Sequence, residues 1–329
     1  MLTIAAAAAH LPARIAFHGV QAKEHNLGYA YLLFRSASFA RPRGKGRITE
    51  EETARFAQNA PRMLPVARRP RSLSDLATDA AKALRDQVGH DVMAKTTHIL
   101  VAHGALNQQI AESLPGRVQF ELGIKNALPL GISQVGTLGV YAAWPLMEGL
   151  LRRPEDQALL VAADKWIYPF FRGFGDAVSF GDAAAAWLVR RGDAGGAVRG
   201  FALEHGAAID DPWAKTPSDL RAALLPLAVA AGRRALAQAG VERAQLDAIV
   251  AAGHDEGFAD AVARALELSP EQHHRRREPG HLSSADSLVA FLDYRASLPP
   301  GARRTVLLWD AALCGAAGAM VVDVSGGAA

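Results

Sequence analysis

Apolar residues in this chain fall into two kinds of run that alternate along it. Runs at helical spacing predict helices, and short continuous runs bounded by glycine, histidine or proline predict buried strands. The helical kind covers a segment capped by Ser74-Asp75-Leu76-Ala77 and running to about Gln87. It recurs after Gly139 to about Leu151, stopping before Pro154, then from Ala223 to Ala239 ahead of Gly240, and from Ser283 to about Arg295. The strand kind covers His98 to Ala102, Ala158 to Ala162, Leu246 to Ala252 and Thr305 to Trp309. The opening Met1-Leu2-Thr3-Ile4 and its alanines read as a first strand. They lack the basic lead-in of a secretory signal, which predicts a cytoplasmic chain. Two segments rich in small residues, Phe180 to Val189 and Cys314 to Val322, each read as a turn feeding a strand.

The second half repeats the order of the first. Helix, strand, helix and small-residue strand recur at an offset of roughly 150 residues, the mark of an internal duplication. At 329 residues, without a long Pro/Gly/Ser linker, the chain predicts an α/β protein of two similar halves, 1–190 and 191–329.

Composition narrows the class. With 50% hydrophobic and 21% charged residues the chain is globular, and its single cysteine, Cys314, excludes a disulfide framework or a cysteine-built zinc site. No uncharged apolar run is long enough to cross a membrane. The net charge of +3 is concentrated in two clusters, Arg41-Arg43-Lys45-Arg47 and His273 to Arg277. These read first as solvated loops and second as a surface for an acidic or phosphate-bearing partner. They lack interleaved aromatics, and no nucleic-acid motif accompanies them. His273 and His274, as neighbours, point apart and make a poor metal pair, and no metal constellation is visible.

Four segments carry a family resemblance: Gln134-Val135-Gly136-Thr137-Leu138-Gly139, Phe180-Gly181-Asp182-Ala183-Ala184-Ala185, Gly253-His254-Asp255-Glu256-Gly257 and Gly280-His281-Leu282-Ser283-Ser284-Ala285. In order they resemble the nucleophile elbow, the F-G-D-G-A-A turn, the active-site histidine segment and the G-N-T-S-S-A segment of the thiolase superfamily. Within it the likeness is to the 3-oxoacyl-ACP synthase III group, the initiating ketosynthases, over about Ser72 to Val324. The resemblance implies a layered α/β/α/β/α fold, a homodimer or a heterodimer with a related subunit, acyl-CoA or a phosphopantetheine carrier protein as substrate, and no tightly bound cofactor. It also implies acyl transfer or condensation in fatty-acid-like or secondary-metabolite synthesis. Two positions depart from the family: Thr137 stands where the family has its cysteine, and His281 where it has asparagine. His254 matches the family histidine.

An alcohol is not ionised near neutral pH, so Thr137 as acyl acceptor needs a base in contact, and His254 or His281 would supply it. The alternative is direct transfer, with His254 as general base and His281 assisting the oxyanion. A non-catalytic subunit supporting an active partner is the rival reading, and a thioesterase that activates water is a third. Asp286 reads as a surface carboxylate or as an orienter of a histidine, Asp182 as structural, Cys314 as a buried inert thiol and Ser133 as a backup nucleophile.

Overall fold

The computed structural model describes residues 1–16, 63–68, 70–107, 109, 111–166, 173–174, 178–192, 196–209, 216–274, 276 and 280–326. The Arg41-to-Arg47 cluster, Arg275 and Arg277 lie outside them. In chain order the elements are β1 (Leu2–His10), β2 (Arg14–Ala16), β3 (Met63–Pro65), α1 (Leu73–Val88), α2 (His90–Met93), β4 (His98–His103), α3 (Leu114–Leu122), β5 (Leu128–Ser133) and α4 (Gly139–Leu150). There follow β6 (Gln157–Asp164), β7 (Gly173–Phe174), β8 (Val178–Ser179), β9 (Ala183–Arg191), β10 (Val198–His205), α5 (Pro217–Ala239), β11 (Ala248–Ala251) and α6 (Glu256–Ala265). The last are β12 (His273–His274), α7 (Asp286–Ser297), β13 (Arg303–Ala312) and β14 (Ala316–Ser325).

Two five-stranded mixed sheets form, ordered β1-β9-β6-β4-β5 and β10-β14-β13-β11-β12. They share one plan. In each, the two outer-to-middle pairings are antiparallel (β1 and β6 on β9; β10 and β13 on β14), and the remaining strands are parallel.

Each sheet is covered on both faces, which is why its strands read as continuous apolar runs. Side chains alternate across a strand. Leu100 and Leu160 therefore point into a central layer with Tyr141, Trp144 and Met147 of α4, Leu288 and Phe291 of α7, and Leu308 and Met320 of the second sheet. Ile99 and Val161 point the other way, onto Leu76, Leu84 and Val118 of α1 and α3. Ile249, Leu307 and Val321 pack outward on Leu224, Phe258 and Val262 of α5 and α6. At the middle, buried Asp164 at the end of β6 accepts N–H bonds from Gly104 at 2.8 Å, Ala105 at 2.6 Å and Ser284 at 2.9 Å, tying the two halves together.

The element boundaries shift from the sequence reading in three places. The cap of α1 is Ser72, whose hydroxyl accepts from Asp75 N–H while Asp75 accepts from Ser72 N–H; Ser74 lies inside the helix and bonds Glu112. Leu246 ends a 3-10 turn instead of starting β11. The helix expected from Ser283 opens with a 3-10 turn, Ser283–Ala285, before α7. Strands β5 and β10 and helix α3 do not follow from the sequence pattern, whereas α6 stands where the resemblance places a helix after His254. No helix among the described residues is long and apolar enough to cross a membrane.

Candidate active site

The turn between β5 and α4 is built by left-handed backbone, with φ of 63° at Gln134 and 61° at Gly136. Gly136 has a second reason to be glycine: a Cβ there would lie 2.8 Å from Ala312 Cβ and 3.4 Å from Cys314 Sγ. Thr137 follows, buried, two residues ahead of the first turn of α4. Its Oγ1 has no hydrogen-bond partner, so no base contacts it. Ser133 ends β5 exposed and does not line the cavity beside Thr137.

His254 leaves the end of β11 through a tight turn in which its N–H donates to Ala252 O at 2.7 Å. Its ring stacks on Trp309 at 5.3 Å and meets the edge of Phe258 at 5.2 Å. Next to it, Asp255 caps α6 by accepting from Phe258 N–H and pairs with Arg221 of α5.

His281 is held by the Phe180 segment of the first half. Gly181 N–H donates to His281 O and His281 N–H donates to Ser179 O, both at 2.9 Å, and the Phe180 ring meets the imidazole at 5.4 Å. Asp182 supports this segment by accepting from Ala67 N–H at 2.8 Å and Trp166 N–H at 2.9 Å, a structural role as expected. His281 is buried, 1% exposed.

The structure brings His254 and His281 together and adds a residue the sequence reading missed. Asp310 of β13, fully buried, faces both rings: its Oδ1 lies 2.9 Å from His254 Nε2 and 3.1 Å from His281 Nε2. Asp286 is also fully buried, not a surface carboxylate, and its Oδ2 lies 3.1 Å from His281 Nδ1 while accepting from the N–H groups of Gly253 and Leu282. Burial opposes protonation of His281, but the Asp286 and Asp310 carboxylates outweigh it and raise its pKa above the ordinary value. Burial likewise opposes ionisation of Asp310, yet His281 and His254 hold its carboxyl well below the usual carboxylate range.

Thr137, His254 and His281 line one cavity of about 30 Å³, with Phe180, Leu220 and Phe258 among its walls. That is room for about one water. Cys314 is an exposed residue, not a fully buried one, with its sulfur against Gly136; the partial desolvation of the thiol there and the Asp310 charge push its pKa up.

The second basic cluster is turned inward where it is described, instead of forming a solvated loop. His273 pairs with Asp260 at 3.0 Å, His274 with Asp293 at 3.1 Å, and Arg276 is buried beside Asp286. The two adjacent histidines do point to opposite partners, one on α6 and one on α7.

Folding also creates a grouping the sequence hid. His254, His281 and Asp310 place ligand-type atoms within 4.8 Å of one another. Ser283 N–H lies 2.9 Å from His281 Nδ1, and Asp286 Oδ2 lies 3.1 Å from the same nitrogen, so each ring nitrogen of His281 faces a carboxylate.

No protein-family model matches the chain. A β-ketoacyl-[acyl-carrier-protein] synthase III of Streptomyces coelicolor is 29% identical over 212 residues, 60% of this chain. The chain matches 62% of the length of that curated relative. Among solved structures, the 3-oxoacyl-[acyl-carrier-protein] synthase III of Aquifex aeolicus superposes with a TM-score of 0.72 at 15% identity, covering 98% of this chain and 99% of that one. The corresponding enzyme of Pseudomonas aeruginosa gives 0.71 at 20% identity, covering 98% of both chains. The priming β-ketosynthase of a polyketide biosynthetic pathway gives 0.72 at 17% identity, covering 99% and 97%. With its two mixed five-stranded sheets, matched along nearly its whole length, the chain has a thiolase-like α/β fold.

Proposed function

We propose that the chain belongs with the 3-oxoacyl-ACP synthase III-like proteins and transfers acyl groups from acyl-CoA or acyl-carrier-protein thioesters, in fatty-acid-like or secondary-metabolite synthesis. The observation that carries this reading is the pair of imidazoles, His254 and His281, on one cavity wall beside the Thr137 turn. His254 is the general base and His281 assists charge at the thioester. Thr137 is a pocket wall and not the acyl acceptor, because its hydroxyl touches no base. No tightly bound cofactor is required; the CoA or phosphopantetheine arm arrives with the substrate.

The names of the relatives support the substrate class: they are β-ketoacyl and 3-oxoacyl synthases and a priming ketosynthase. The test is thiol release from acetyl-CoA in the presence of a small acceptor, for the wild type and for His254→Ala. Turnover that depends on His254, without an acyl adduct by intact mass, supports direct transfer. No turnover with any thioester removes the reading.

One observation favours the rival, a non-catalytic subunit beside an active partner. The cavity at Thr137, about 30 Å³, is too small for an acyl chain unless its walls move. Either reading calls for a second subunit. Among the described residues β5 is an edge strand of the first sheet, and Leu128 on it is exposed, as are Phe120 on α3 and Leu146 on α4, the helices packed against it.

A further inference from the structure

His254 follows a strand, His281 precedes a helical turn and Asp310 lies within β13, yet their ligand-type atoms stand within 4.8 Å of one another. Asp310 Oδ1 is 2.9 Å from His254 Nε2 and 3.1 Å from His281 Nε2. Nitrogen and oxygen ligands of one divalent transition-metal ion, each at about 2.0–2.2 Å, are about 3 Å apart when they meet it at right angles. The two separations match that spacing. Two imidazoles and one carboxylate are also a recurrent donor set for such ions, with positions left open for water.

The surroundings call for a cation. The charged groups facing His281 among the described residues are Asp286, Asp310 and Arg276, all with buried side chains. With both imidazoles neutral, two carboxylates stand against one guanidinium, and a buried charge is costly unless it is paired. A proton on one ring supplies the missing charge but leaves two oxygens unserved. These are Asp310 Oδ2 and Thr137 Oγ1, both buried without a hydrogen-bond partner. Thr137, 6% exposed, lines the cavity of about 30 Å³ with both histidines, and that cavity has room for about one water. A metal ion holding one water there supplies the charge, binds the carboxylate and gives the threonine hydroxyl a partner.

Metal binding needs the Nε2 lone pair of each ring. Asp286 Oδ2, 3.1 Å from His281 Nδ1, accepts a proton held there and orients the ring, as carboxylates do behind metal-bound histidines. Ala311 N–H, 3.2 Å from His254 Nε2, treats that nitrogen as an acceptor. Ser283 N–H, 2.9 Å from His281 Nδ1, favours the opposite tautomer there, and the ion has to outcompete it.

We propose that His254 Nε2, His281 Nε2 and Asp310 bind one divalent transition-metal ion of the zinc type, and that the bound ion switches the site off. The binding stands on the geometry alone; the switching rests on the acyl-transfer reading above. A ring that gives its Nε2 lone pair to a metal carries its proton on Nδ1 and has no lone pair left to accept another. His254 then cannot act as base. The two imidazole donors disfavour hard cations such as Mg²⁺. The way in is past His254, which also borders a wider cavity of about 220 Å³ with Glu256, His273 and Arg276.

The test uses the full chain, stripped with EDTA, and Zn²⁺ as the probe. Wild type, Asp310→Asn and His281→Asn are dialysed against Zn²⁺, and the retained metal is counted by elemental mass spectrometry. Expected are one Zn²⁺ per wild-type chain, no retained Mg²⁺ and an affinity lowered by about 100-fold or more in both variants. Circular dichroism checks that each variant is folded. A rise in the wild-type melting temperature with Zn²⁺ reads the same binding without a variant. Thiol release from acetyl-CoA with hydroxylamine should fall as zinc loads and return with EDTA. No zinc retained by the wild type, or zinc retained equally by all three forms on surface histidines, overturns the metal site. Zinc bound with thiol release unchanged or faster overturns the switching. Absence of thiol release from the metal-free chain overturns the acyl-transfer reading and the switching with it, while the metal count still decides the site.

Discussion

His254 and His281 meet edge to face, with ring centroids 4.8 Å apart, although one closes a strand of the second sheet and the other is held by backbone bonds to the Phe180 segment of the first half. Their shared contact is Asp310. The two rings therefore act as a unit, and single substitutions should not be additive.

Replacing His254 by alanine should lower kcat for acyl transfer by about 10²–10⁴-fold, the range for a general base, with a smaller change in KM. His281→Asn, which restores the residue type of the resembled family, should cost less. Steady-state kinetics on the purified chain measure both.

Thr137→Ala should leave transfer close to the wild type, because the hydroxyl has no partner to lose. Thr137→Cys should gain a mass equal to one acyl group when incubated with acyl-CoA, because a thiol ionises far more readily than an alcohol. Intact-mass spectrometry separates the two; an adduct on the wild type that disappears in Thr137→Ala would reverse the assignment.

The raised pKa of His281 links stability to pH. Its folded value lies above the ordinary 6.5, so protonation favours the folded state. That contribution is complete below about 6.5 and is lost as pH rises through the folded value. The groups that set it are Asp310 from β13, Asp286 from α7, and opposing Arg276. The melting temperature should therefore fall as pH rises from 6.5, and the slope should flatten in His281→Asn. Asp310, held low, acts in the opposite range: its contribution is present at neutral pH and is lost as pH falls below the ordinary carboxylate value.

Gly136→Ala should destabilise the chain by about 1 kcal/mol or more, since the new methyl combines a φ of 61° with a 2.8 Å approach to Ala312 Cβ. Denaturant unfolding followed by circular dichroism measures it.

The second subunit proposed above predicts that Leu128→Lys, on edge strand β5 of the described residues, shifts a dimer towards monomer without unfolding the chain. Sedimentation velocity distinguishes this from a chain that is monomeric from the start.

Much of this architecture was legible because both sheets are covered on both faces. Strands such as Gln157–Asp164 are buried throughout, and the apolar run survives in the sequence. Strand β5 was not legible for the opposite reason: as an edge strand it is half-exposed, and Leu128–Ser133 carries proline and glycine where a buried strand would carry valine or isoleucine. His254 and His281 were legible through their segments, at a strand end and ahead of a helix. Asp310 was not, because Leu308-Trp309-Asp310-Ala311 reads as the tail of a strand. The usable signal was a carboxylate inside an apolar run, since such a residue is almost never fully buried unless it is paired. Cys314 was misread because a turn of small residues resembles packed interior, whereas this one opens at the surface.

Asp164 collects N–H groups from Gly104, Ala105 and Ser284, two from the first half and one from the second. Neither repeat can open without stripping partners from a carboxylate that has no access to water. The duplicated chain should consequently melt as one cooperative body, with calorimetric and van't Hoff enthalpies in agreement, and its repeats should not survive as separately folded fragments.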